Sequence, residues 1–138
     1  MTEPMVFGAE HVRQYEKSDG ELGYLRHGAP ILILTTTGRK TGRPRKVALI
    51  FQEHEGCYVV VASNGGAADH PDWYKNLRVD PEVRVQVKAD RFAARARTAT
   101  GEERERLWRI MAAVFPTYDE YRRRTEREIP VVVLEPKR

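Results

Sequence analysis

Three stretches of this chain combine residue types that could do chemistry. The first is Thr35-Thr36-Thr37-Gly38-Arg39-Lys40-Thr41-Gly42-Arg43-Pro44-Arg45. Its glycines let the backbone turn and bring N–H groups close to an anion, and its arginines and lysine add charge-assisted donors. It is not a nucleotide phosphate loop of the Walker type. Ile33 stands where the first glycine of that motif would fall relative to Gly38, and no Gly-Lys-Ser/Thr follows. The plain alternative is a solvated hairpin whose cations serve solubility. Five cations without one acid in residues 39–46, led in by three threonine hydroxyls, favour a ligand.

The second stretch is Ala62-Ser63-Asn64-Gly65-Gly66-Ala67, followed by His70-Pro71-Asp72-Trp73-Tyr74-Lys75-Asn76-Leu77. A strand that empties into a small, donor-rich loop and then a proline-initiated helix offers free N–H groups and a positive dipole end to a polar ligand. Trp73 and Asn76 are at i and i+3, so an aromatic and an amide share one helix face and could meet a ring together. Alternatively, Gly65-Gly66 is only a turn and Trp73 a core residue. His70 reads as a helix-start residue, not a base. The third stretch, Phe115-Pro116-Thr117-Tyr118-Asp119-Glu120-Tyr121, puts two phenols at i and i+3. A phenol stacks on flat molecules and, with a pKa near ~10, can donate to a developing oxyanion. Equally, the pair could anchor a helix on a barrel. The charge run 122–128 reads as a solvated face.

The elements that must position these residues follow from hydrophobic pattern. Residues 31–37, 47–52, 57–63 and 129–134 are apolar, β-branched runs, and 83–88 and 91–99 alternate, which predicts six strands. His54-Glu55-Gly56 and Ala89-Asp90 read as tight reversals. Helices are expected at 9–17, after Pro71, from Thr100 to Pro116, and from Thr117 through Arg127. The Thr100/Glu103 and Thr117/Glu120 pairs have capping-box spacing. Six strands and a few helices in 138 residues point to one small antiparallel barrel, mainly β with flanking helices (α+β).

Composition narrows the ligand. Of 24 basic residues, five fall in 39–46, which leaves 19 against 20 acidic residues, a net of −1 outside that loop. One concentrated cationic segment suits a discrete anion better than a long polyanion track. A single cysteine, Cys57, excludes an internal disulfide and fits a reducing cytoplasm. The four histidines have no metal-binding spacing, so no metal is expected. No apolar run reaches the ~20 residues of a membrane span. Met1-Thr2-Glu3-Pro4 lacks a secretory pattern, and the first 20 residues are polar for an amphipathic anchor. A cytoplasmic site is expected, with peripheral membrane attachment and oligomeric state left open. There is no GxSxG elbow, cysteine–histidine pair or carboxylate pair, so a bound cofactor is the expected carrier of chemistry.

The runs TTTGRKTGRPR, VVVASNGGAADHPDWYKNL and FPTYDEYRRRTEREIPVVVLEP resemble the deazaflavin-dependent nitroreductase family, over about residues 24–136. These are small reductases that use coenzyme F420. The resemblance implies a split β-barrel, FMN-binding split-barrel-like and six-stranded, over residues 24–138, after a polar helical segment at 1–23. It implies an F420H2-dependent oxidoreductase passing a hydride to a small electron-poor acceptor: a quinone, activated enone or nitroaromatic. Arg39, Lys40 and Thr41 would hold the cofactor phosphate, with Arg45 and Arg43 on the glutamate tail. Ser63, Asn64, Gly65 and Gly66 would line the deazaflavin and ribityl chain, closed by Trp73 and Asn76. Tyr118 and Tyr121 match positions lining the substrate pocket, with Ser63 or Tyr118 as proton donor. Phe115 stands where some members carry tyrosine, Ile50 where an aromatic is common, Asn64 for a frequent lysine and Ala48 for a frequent proline; the changes at Phe115 and Ile50 alter the substrate pocket. FMN is the alternative cofactor. A nucleic-acid-binding barrel is the non-enzymatic alternative, disfavoured by the near-neutral remainder of the chain.

Overall fold

The computed structural model describes residues 8–137, so the reading of Met1 to Pro4 lies outside the described residues. In chain order the elements are α1 (Gly8–Lys17), β1 (Leu25–Arg26), β2 (Ala29–Thr37), β3 (Pro44–Ile50), β4 (Gln52–His54), β5 (Cys57–Val61), a 3-10 turn (Asn64–Gly66), α2 (Asp72–Val79), β6 (Glu82–Val87), β7 (Asp90–Thr98), α3 (Gly101–Val114), α4 (Thr117–Arg124) and β8 (Val131–Pro136). The strands form one antiparallel sheet in the order β1-β2-β6-β7-β8-β5-β4, with β3 on the other edge of β2. This is the split half-barrel.

All six expected strands are present, and two short ones join them. The run 47–52 divides at Phe51, whose N–H turns to the Pro30 carbonyl at 3.1 Å, so its end becomes β4. β1 arises because His27 and Gly28, both with positive φ, close a two-residue hairpin that pairs Arg26 with Ala29. Glu55 and Gly56 do the same between β4 and β5.

The unbroken apolar runs are explained by burial on both sheet faces. Ile31, Ile33, Val59, Val61, Val131 and Val133 face a core shared with α1, α3 and α4. Their alternates Leu32, Leu34, Val60, Val132 and Leu134 face a second core with Trp73, Tyr74 and Leu77 of α2. α1 is less peripheral than its polarity implies. Tyr15 is wholly buried, donating to the Ile31 carbonyl and accepting from the Lys88 N–H, both at 2.8 Å.

Neither capping box forms. The Glu103 carboxylate is held by Arg97 in a two-pronged pair at 2.6 and 2.9 Å and so is not turned back to the Thr100 N–H, and the Thr100 side chain makes no cap bond either. α4 begins at Thr117 itself, behind Pro116. Among the described residues no helix is long and apolar enough to cross a membrane.

Candidate functional site

The basic loop between β2 and β3 is a closed, latched turn. Its strands pair to the last position, Thr37 opposite Pro44. The Gly38 N–H donates to Arg43 O and the Gly42 N–H to Gly38 O, both at 2.8 Å. A Cβ on Gly38 would lie 2.9 Å from Thr41 Oγ1 and 3.1 Å from Arg43 O, so glycine is required there by space. Thr41 Oγ1 accepts from the Arg43 N–H at 3.2 Å, which leaves its own proton to donate.

α2 holds this loop from below. Asn76, nine-tenths buried, accepts at Oδ1 from the Arg39 N–H (3.2 Å) and from Arg39 Nη1 (2.8 Å), and donates from Nδ2 to Thr36 Oγ1 (3.2 Å). Arg39 Nη2 also reaches Asp72 at 3.2 Å. Asn76 is therefore committed to protein partners, and part of the Arg39 fork with it. Lys46 pairs with Glu16 at 2.5 Å, tying α1 to the loop's edge. Lys40, Arg43 and Arg45 make no ion pair among the described residues and are exposed.

Beyond β5 the chain makes the 3-10 turn with Asn64, Gly65 and Gly66 all at positive φ. Gly66 packs against α4, where a Cβ would sit 3.2 Å from both Cα and O of Tyr121. The aromatics of α4 cluster with Phe115, two residues before the helix. Phe115 meets Tyr118 edge-on at 5.0 Å and Tyr121 at 6.3 Å, and His27 stacks on Phe115 at 5.9 Å. Trp108 Nε1 donates to Asp119 at 2.8 Å, which fixes α4 on α3. Tyr118 is buried, and its hydroxyl has no hydrogen-bond partner among the described residues. Burial first, then the neighbouring Tyr121, pushes its phenol far above the ordinary value of 10.0.

Two cavities result. One, of about 390 Å³, is cationic and lined by Gly38, Arg39, Lys40, Thr41, Arg45, Lys46, Val47, Asp72, Trp73 and Asn76. The other, of about 540 Å³, is lined by Arg26, His27, Val47, Ala48, Leu49, Ile50, Val61, Ser63, Asn64, Gly65, Pro71, Trp73, Phe115, Tyr118 and Tyr121. Val47 and Trp73 belong to both, so the cavities adjoin. Of the residues singled out from sequence, Arg43 and Gly66 fall outside both linings. Lys46 and Asp72 enter them from within the stretches already named, and Val47, Arg26 and His27 enter without having been singled out. The signal for His27 lay in its His-Gly hairpin dipeptide; the others carry no local mark.

The profile of the F420H(2)-dependent quinone reductase family matches residues 8–136. The F420H(2)-dependent quinone reductase of Mycobacterium tuberculosis is 38% identical over 128 residues, 90% of this chain and 86% of that one. Among solved structures, an F420-H2 dependent reductase, FDR-A, matches with TM-score 0.72 at 43% identity, covering 77% of this chain and 94% of its own. A domain-swapped dimer matches with TM-score 0.74 at 39% identity, covering 90% and 96%. The chain belongs to the F420H(2)-dependent quinone reductase family and is an F420H2-dependent oxidoreductase.

Proposed function

We propose that the chain seats the phosphate and glutamate tail of F420 in the cationic cavity and the deazaflavin in the aromatic one, and reduces a quinone held against α4. One observation carries this reading. The cavities share Val47 and Trp73, so one molecule with an anionic end and a flat end spans both.

The residues fit such a group. Lys40 and Arg45 have no carboxylate partner among the described residues, and the Thr41 hydroxyl proton is unspent. These three hold the phosphate and nearest carboxylates, with the remaining Arg39 donors beside them. Arg43, outside the lining, is left for outlying tail carboxylates. Ser63, Asn64, Gly65 and Trp73 border the ring, and Ile50, Phe115 and Tyr121 pack the acceptor and exclude water. The chemistry the cofactor supplies when bound is hydride donation to the electron-poor acceptor. Tyr118, whose phenol stays protonated, donates a hydrogen bond to the oxyanion developing on the acceptor without releasing its proton. Solvent or the half-buried Ser63 hydroxyl delivers the proton. Residues 24–138 supply every lining residue, and the single thiol Cys57 suits a reducing cytoplasm.

The test is titration with F420 and with FMN, then the absorbance of the reduced deazaflavin on adding menadione. F420 binding and quinone-dependent bleaching are expected. Micromolar FMN binding without F420 binding would overturn the reading.

A further inference from the structure

Arg127 belongs to the charge run that the sequence reads as a solvated face, yet its guanidinium turns inward onto main-chain oxygens. Nη2 donates to Ser63 O at 2.7 Å and Nε to Ala67 O at 2.8 Å, while Nη1 and Nη2 reach Ala62 O at 3.3 and 3.4 Å. Nη1 also donates to His70 Nδ1 at 3.1 Å. Arg127 makes no close ion pair among the described residues; its guanidinium bonds are to these carbonyls and to His70, with Asp69 acting on it only through space. They bracket the 3-10 turn on both sides. That turn holds three successive residues at positive φ, Asn64, Gly65 and Gly66, a run the chain seldom keeps without outside support. α4 supports it at Gly66, and Arg127 grips both of its ends.

We propose that Arg127 is a positioning residue that fixes loop 63–66 in the shape that receives the deazaflavin, and that protonation of His70 weakens its hold. The inference rests on the F420 reading above. The planar guanidinium fork reaches three carbonyls and one imidazole at once, which a single ammonium cannot do. Because His70 Nδ1 accepts from Arg127, a second ring proton would have to sit on Nδ1, facing the cation. The groups around His70 agree. Burial and then Arg127 hold it below the ordinary 6.5, Arg78 and Lys75 act in the same sense, and Asp69 opposes them. The ring of Tyr74 packs on it at 4.9 Å, its hydroxyl engaged with Thr98. Protonation therefore breaks one Arg127 contact and sets two cations together beneath the loop.

Two measurements test this from about pH 5 to about pH 8, the range in which histidine titrates. One is hydrogen–deuterium exchange of residues 63–67 in the ligand-free protein, corrected for intrinsic rates. The other is equilibrium binding of F420 and of its phosphate-free ring-and-ribityl fragment. Arg127→Lys is expected to speed exchange at 63–67 and to weaken both ligands equally, by about 10-fold. The wild type should loosen in the same way as the pH falls through the depressed His70 pKa, and His70→Asn, which keeps an acceptor without a titration, should abolish that step. Unchanged exchange and fragment affinity in Arg127→Lys would overturn the proposal, as would a pH step that persists in His70→Asn. A loss confined to F420, with fragment affinity intact, would move Arg127 to the tail and also overturn it. The wild-type pH series needs no variant to fold. If exchange responds as expected while the wild type binds neither ligand, the latch is supported and the F420 reading fails.

Discussion

The two adjoining cavities are built on opposite principles. The cationic one is a rigid lattice of directed bonds: a loop closed on itself through Gly38, Arg43 and Gly42, and fastened to α2 through Asn76 and Arg39. The other is bounded by aromatic rings and apolar β3 side chains, and the hydroxyl of the buried Tyr118 in its wall has no hydrogen-bond partner among the described residues. Directed, charge-assisted bonds recognise one defined anion, whereas ring packing tolerates many flat molecules. On the proposed reading, the comparison teaches where affinity and breadth would arise: the loop would fix which cofactor is taken, and the aromatic wall would admit a class of acceptors.

The largest expected effect breaks the cationic side alone. Lys40→Ala combined with Arg45→Ala should weaken F420 binding by about 3 kcal/mol, on the order of 100-fold. The melting temperature should hardly change, because neither side chain has an ion pair to lose; calorimetric titration and a thermal scan check both. Asn76→Ala should couple binding to stability. It leaves the Arg39 N–H and Thr36 hydroxyl without their partner, costing about 1–3 kcal/mol in denaturant unfolding, and tail affinity should fall with it. On the aromatic side, Phe115→Ala should raise the KM for a quinone by up to about 10-fold through lost ring contact, with the Kd for F420 unmoved. Equal loss of both would erase the division of labour.

Tyr118→Phe is the smallest and sharpest perturbation. Removing a hydroxyl that bonds to no described residue should shift stability by less than about 0.5 kcal/mol, while kcat on the quinone falls. The alkaline limb supplies its pH test. Tyr118 titrates higher in the fold than in the unfolded chain, so its contribution is intact below the ordinary value of 10.0 and is lost as the pH rises from there towards the folded value. Tyr118→Phe should therefore unfold less readily in alkali than the wild type.

Much of this was legible from residue order. The runs at 31–34, 59–61 and 131–134 announce strands buried on both faces, and the Thr-Gly-Arg-Lys-Thr-Gly segment announces a tight cationic turn. What stayed hidden depends on tertiary partners. A two-residue strand such as β1 has no periodicity to read. Asn76 reads as ready for a ligand, but its amide is spent on Arg39 and Thr36, 37 and 40 residues away. Arg127 hides among exposed arginines, because the carbonyls that turn it inward lie 60 or more residues earlier in the chain.

The central claim, that one cofactor is read at two ends by two unlike cavities, is tested most directly by the ratio of Kd values for the phosphate-free deazaflavin fragment and for F420. The wild type should prefer F420 on the order of 100-fold, and Lys40→Ala with Arg45→Ala should bring the ratio close to one without changing fragment affinity. A wild-type ratio near one, or a ratio that survives the double substitution, would contradict it.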